Sequence, residues 1–162
     1  IGDKLLIGPD NGRFENVLVR SLHCKRVPIN KVDFATYACI GLRNVDKDRI
    51  RKGNVIVSPK INPVATSEFE AEIKVLKSHS TTVKEGYEAV VHTCSIRQTA
   101  LLVKVLRKDS DRNEEGKKHI IRVGDRGLVL FRFKYRPEFM KIGYRLLLSE
   151  GKTKVIGEVT RI

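Results

Sequence analysis

The chain has no tryptophan, a single methionine and an aromatic content of 6%, too few rings for a base-stacking surface built on many exposed aromatics. Its cysteines, Cys24, Cys39 and Cys94, lie far apart with no CxxC spacing. That argues against a zinc ribbon or a disulfide framework and makes a reducing, cytoplasmic setting the expectation. No segment stays apolar long enough to cross a bilayer as a helix, so no membrane partner is expected. Nor is there a GxxxxGKS or GxxxxGKT run, the loop whose backbone amides and lysine cradle nucleoside phosphates. The histidines His23, His79, His92 and His119 are dispersed and no acidic pair has hydrolase-like spacing, so no catalytic residue and no metal ligand set is expected. The opening Ile1-Gly2-Asp3-Lys4 reads as strand rather than leader, and a start without methionine predicts an excised fragment.

What the chain does have is positive charge. Its 162 residues carry 32 Lys and Arg against 19 Asp and Glu, a net +13. Divided at Ala65, the balance is 12 minus 6, or +6, before it and 20 minus 13, or +7, after it. An excess spread over both halves suits a long polyanion better than a single basic tail does. Charge alone fits a solvated, soluble surface equally well.

The apolar pattern has a period of two. Short runs at Val17–Leu22, Tyr37–Leu42, Val55–Val57, Ala71–Leu76, Ala89–Thr93, Ala100–Leu106, Leu128–Phe133, Tyr144–Leu148 and Val155–Val159 are bounded by Gly, Pro, Asn or Asp, which predicts strands. So many short strands predict an all-β fold of two antiparallel barrels, because closure removes the edges they would otherwise expose. Asp46–Gly53, charged and closed by glycine, predicts one or two helical turns. Ser58–Thr66 holds two prolines without periodicity and predicts a stiff connector between residues 1–64 and 65–162. Arg107–Lys118 predicts a polar loop. Tyr87, Phe131, Phe133 and Phe139 are assigned to core packing.

Several phrases carry a resemblance. Phe69-Glu70-Ala71-Glu72-Ile73-Lys74-Val75-Leu76 resembles the first strand of domain III in elongation factor Tu, and His79 to Tyr87 resembles the following loop of elongation factor 1-alpha. Cys94-Ser95-Ile96-Arg97-Gln98-Thr99-Ala100, Phe131-Arg132-Phe133, Pro137-Glu138-Phe139 and Glu150-Gly151-Lys152-Thr153-Lys154 are closer to the GTP-binding protein 1 and 2 family of translational GTPases. Gly2–Pro9, Val19–His23 and Ile50–Pro59 are similar to that family's domain II. The resemblance implies a partial domain II barrel over 1–64, lacking its opening strands, and a domain III barrel over 65–162. The G domain, with GTP and Mg, would lie outside this chain, and the partners would be tRNA or another structured RNA, that G domain and the ribosome.

By the same resemblance Lys77, His79, Lys84, Arg97 and Gln98 are expected to contact phosphates and 2′-hydroxyls, and Lys152 and Lys154 to add charge near them. A-form RNA is read mainly by shape, through backbone and minor groove, so such contacts would be sequence-blind. Ser149 stands where the family phrase has an arginine. An aminoacyl-end pocket in domain II is expected around Arg49 and Lys52, with Arg49 standing where the family has an acid. Asn30-Lys31-Val32-Asp33 spells the guanine-reading NKxD, but without a phosphate loop it is read as a turn. His23-Cys24 sits on a strand, where neighbours point to opposite faces, and so forms no joint site. The competing expectation is a protein-interaction module that docks ribosomal or RNA-decay partners.

Overall fold

The computed structural model describes residues 1–76, 82–109 and 120–162. It divides into two units, Ile1–Val64 and Ala65–Ile162.

In the first unit, β1 (Lys4–Asp10) pairs antiparallel with β2 (Arg13–Cys24), and β2 also pairs with β3 (Val27–Ile29) and β4 (Cys39–Arg43). β5 (Val55–Val57) closes the other side of β1. The result is a curled half-barrel whose buried apolar residues are Ile7, Val17, Val19 and Leu22. The expected helical turns reduce to one 3-10 turn, Lys47–Arg49, started by the Asp46 side chain accepting from the Asp48 N–H at 3.1 Å. The proline-rich connector carries a second such turn, Pro59–Ile61, capped by Ser58. Tyr37, expected inside a strand, precedes β4 and is 97% exposed, and Phe34 nearby is fully exposed.

The second unit is a closed barrel. Its strands β7 (Glu68–Val75), β8 (Glu88–Thr93), β9 (Ile96–Lys108), β10 (Arg126–Phe133), β12 (Arg145–Glu150) and β13 (Thr153–Arg161) run in the spatial order β10-β7-β13-β12-β8-β9. A small ribbon, β6 (Ala65–Thr66) with β11 (Glu138–Phe139), lies beside it. Alternation explains the wall: in β7, Phe69, Ala71, Ile73 and Val75 are buried, while Glu68, Glu70, Glu72 and Lys74 face outward. The core packs tightly around rings, with Phe69 stacked on Phe131 at 5.4 Å and tilted against Phe133 at 5.1 Å. Phe131, Phe133 and Phe139 are thus core residues as expected, and Tyr87 packs against the same cluster. At Gly157 a Cβ would stand 2.6 Å from the Glu72 carbonyl oxygen, so only glycine lets β13 approach β7 at this point.

Candidate nucleic-acid interface

Antiparallel register fixes which of the expected cationic residues share an end of the barrel. β12 pairs with β8 through Leu147 opposite His92 and Ser149 opposite Val90, so the start of β12 lies by the end of β8. Lys152 is exposed in the tight turn joining β12 to β13, and Lys154, half-buried, stands opposite Ser149. The Lys154 carbonyl accepts from the Leu76 N–H at 3.0 Å, which ties the end of β7 to this rim. Lys84 is exposed, and its carbonyl accepts from the Tyr87 N–H at 3.0 Å. Tyr87 brings the two segments together, because its phenol lies beside Glu150 and Thr153. Burial first, and then the negative charge of Glu150, push this phenol up to about 12, while its buried hydroxyl finds no partner with hydrogen-bond geometry. Lys84, Lys152 and Lys154 therefore border one rim.

Arg97 lies at the other end. It is exposed on β9 opposite His92, directly after the turn at Cys94-Ser95. Lys77 and His79 lie outside the described residues.

Gln98 requires a correction. The expected RNA contact points inward, 4% exposed, and its amide is fully occupied. Its nitrogen donates to the Arg136 carbonyl at 3.1 Å and to Glu138 Oε1 at 2.9 Å, while its oxygen accepts from the N–H groups of Tyr135 at 3.0 Å and Arg136 at 2.9 Å. An amide has two donors and two acceptor sites, so nothing remains for an RNA. Gln98 clamps the loop after β10.

The residues expected to shape an aminoacyl-end pocket belong to the first unit. Arg49 is held by two carboxylates, donating to Asp10 Oδ2 at 2.9 and 2.7 Å and pairing with Glu15. The hydrogen bond to Asp10, then the charge of Glu15, raise the pKa of its guanidinium. Around it Ile7, Gly8, Asn54 and neighbouring side chains leave about 10 Å³, room for about one water and not for a nucleoside. Arg49 is thus the centre of an ion-pair network that fastens the 3-10 turn to β1 and β2. Lys52 is exposed, and its carbonyl accepts from Arg51 Nη1 at 3.2 Å.

The guanine-like Asn30–Asp33 phrase connects β3 to β4, with Lys31 paired to Asp33 at 3.1 Å in the open. His23 stands opposite Cys39 across the strands, and the cysteines Cys24, Cys39 and Cys94 are free thiols. Among the described residues no group of three or more His, Cys, Asp or Glu could hold a metal ion. No described helix is long and apolar enough to cross a membrane.

One residue that sequence reasoning passed over joins this surface. Arg145, exposed at the start of β12, shares an open groove of about 490 Å³ with Arg97 and His92. Its signal was available, because alternation through Leu146 and Leu148 puts position 145 outward.

No family model matches the chain. Similarity to individual proteins is nonetheless extensive. It is 42% identical to GTP-binding protein 1 of Xenopus laevis over 163 residues, covering all of this chain and 23% of that protein. With GTP-binding protein 2 of Homo sapiens it shares 40% over 162 residues, covering 99% of this chain and 25% of that one. Over its whole length, this chain matches GTP-binding proteins 1 and 2. It spans about a quarter of their length. Elongation factor 1-alpha of Sulfurisphaera tokodaii is more distant, 31% identical over 170 residues. Among solved structures, sup35 complexed with GDP superposes with a TM-score of 0.79 over 99% of this chain and 40% of that one. At 22% identity this establishes the shared fold, the barrels of a translation-factor type.

Proposed function

We propose that the chain is a non-catalytic, RNA-binding arm of a GTP-binding protein 1-like translational GTPase. GTP and Mg belong to a G domain elsewhere in that parent, since the sequence offers no phosphate loop and the described residues no acidic cluster to receive them. The parent would couple GTP hydrolysis to handling aminoacyl-tRNA or another structured RNA in the cytoplasm, with the ribosome as a further partner. The carrying observation is a whole-length match to GTP-binding proteins in a chain of net charge +13. Lys84, Lys152 and Lys154 at one rim and Arg97 at the opposite end are the residues assigned to the RNA backbone. Such contacts are electrostatic and sequence-tolerant.

Filter binding of aminoacyl-tRNA against salt tests this reading. Affinity falls steeply with rising salt if phosphates are neutralised. Salt-independent affinity, or none beyond that of an acidic control protein, overturns it. A second reading, a face that docks the G domain or another protein, is favoured by Leu147 and Ile156. They stand opposite each other on β12 and β13 and are 37% and 43% exposed, an outward apolar pair beside charged neighbours.

A further inference from the structure

Several cations on the barrel already have acidic partners. Arg132 pairs with Glu68 at 2.6 Å, Arg161 with Glu70 at 3.3 Å, Lys134 with Glu88 at 2.8 Å and Lys108 with Asp125 at 3.1 Å. Arg97 and Arg145 differ. Among the described residues neither guanidinium makes an ion pair or a hydrogen bond, and both line one groove. No acidic side chain lines it; His92, Cys94, Ser95 and Leu147 do. The backbone beneath is fixed, because Thr93 Oγ1 donates to the Arg145 carbonyl at 2.8 Å and Thr93 pairs with Ile96.

We propose that Arg97 and Arg145 together seat one backbone phosphate of a duplex RNA, a second grip at the end of β12 remote from Lys152. This rests on the RNA-binding reading above and adds to it a residue, Arg145, and a path. Two guanidinium groups sharing an acid-free groove repel one another until an anion lies between them, and their planar forks match phosphate oxygens bidentately.

Neighbouring charges select the path. On the other side of Arg145, Glu158 and Glu72 stand directly opposite each other on β13 and β7. Glu158 is also the cross-strand neighbour of Arg145, and Lys74 and Arg126 share that side with it, so the acid-free groove toward Arg97 is what sends the RNA over β12, β8 and β9. On β12 Leu147 and Ser149 face outward, the latter hydrogen-bonded to His92 Nε2 at 3.2 Å, and the acidic side chain exposed on β8, Glu88, is paired with Lys134 at 2.8 Å. From Arg145 to Glu150 β12 extends roughly 17 Å at about 3.4 Å per residue. Two phosphate grips that far apart on a rigid wall favour a duplex, whose phosphates are already spaced, over a flexible strand that must be ordered on binding.

The test uses the whole chain, an RNA duplex of about 16 base pairs and one of its strands alone, each titrated across salt. Arg145→Ala is expected to weaken duplex binding roughly fivefold to tenfold and to lower the salt slope by about one. Arg145→Lys, which keeps charge but loses the fork, falls between. Arg132→Ala, a control whose side chain is paired with Glu68, leaves both quantities unchanged, and thermal melting confirms that each variant is folded. Duplex binding and salt slope unaltered in Arg145→Ala, or an equal loss in Arg132→Ala, overturn the second grip while leaving the RNA reading standing. Preference for the single strand likewise overturns it. Absence of salt-dependent binding by the unsubstituted chain overturns both.

Discussion

Gln98 Nε2 donates to Glu138 Oε1 at 2.9 Å, and both side chains are buried, at 4% and 2% exposure. The same amide holds the backbone of Tyr135 and Arg136, so one side chain of β9 fixes the loop leaving β10. Arg136 adds a longer contact to Glu138 at 3.6 Å.

Gln98→Ala leaves buried N–H and C=O groups of that loop without partners, and the expected cost is about 1–3 kcal/mol, read from urea unfolding. Gln98→Glu is worse, since it sets a second carboxyl beside Glu138 in a buried site. The salt slope for RNA is expected to stay that of the unsubstituted chain in either variant once folded. A loss of RNA affinity of the same size at every salt concentration in a folded Gln98→Ala protein would show instead that the neutral amide reaches the ligand.

Gly157→Ala tests the closest approach in the barrel wall. The added methyl would meet the Glu72 carbonyl oxygen at 2.6 Å and Ile73 Cγ2 at 3.0 Å, and a backbone atom cannot swing aside as a long side chain can. Overpacking of this kind costs about 1–3 kcal/mol, and equilibrium unfolding should report it. Gly151→Ala makes a contrast: nothing lies within 4 Å of the added carbon, and its positive φ is the only source of strain. An effect at Gly157 no larger than at Gly151 contradicts the register of β13 on β7.

Much of this barrel was legible because its strands obey a two-residue period. Phe69, Ala71, Ile73 and Val75 could be placed inside from spacing alone, and the aromatic residues of β10 followed. β6 and β11, two residues each, are too short to show any period. The misplacement of Gln98 has a different origin. A polar residue in a charged phrase reads the same whether it contacts a ligand or ties down a loop, but its phase does not: Ile96, Ala100 and Leu102 are buried, and Gln98 lies in step with them. Arg49 could not be resolved that way, because Asp10 and Glu15 lie on other strands and only the folded sheet brings them within reach. The meeting of Arg97 and Arg145 in one groove is likewise a product of register, since they stand 48 positions apart by subtraction of their numbers.

Tyr87 supplies a titration prediction. Its phenol is raised by burial and by Glu150 to about 12, above the ordinary value of about 10. A folded-state value above the unfolded one means that the contribution is fully present below pH of about 10 and is lost as pH rises from there through about 12. Ultraviolet difference titration should therefore show late-ionising tyrosine, with Tyr144 also raised by burial, and Tyr87→Phe should lose the part that ionises at about 12. That variant is expected to be no less stable at neutral pH, because the deleted hydroxyl is buried without a partner. Unchanged late ionisation in Tyr87→Phe would show that another tyrosine carries it, and marked destabilisation would place the phenol in a hydrogen bond that the structure lacks.

Lys152 and Lys154 make the sharpest demand on the proposed rim. Lys152 is exposed in its turn and Lys154 half-buried at the strand start, so replacing both with alanine removes two charges without opening the core. If both neutralise phosphates, the salt slope for duplex RNA should fall by about two, near one per contact, and affinity should fall across all sequences alike. Adding Arg145→Ala to this pair should lower the slope by about one more, since grips well separated along β12 are close to additive. A protein-docking role predicts otherwise: Ile156→Ser, on the outward apolar pair with Leu147 and off the RNA route, would disturb partner binding while all of these lysine substitutions left it intact. Nitrocellulose retention of duplex RNA beside pull-down of a separately expressed G domain distinguishes the two, because each surface should respond to only one set of substitutions.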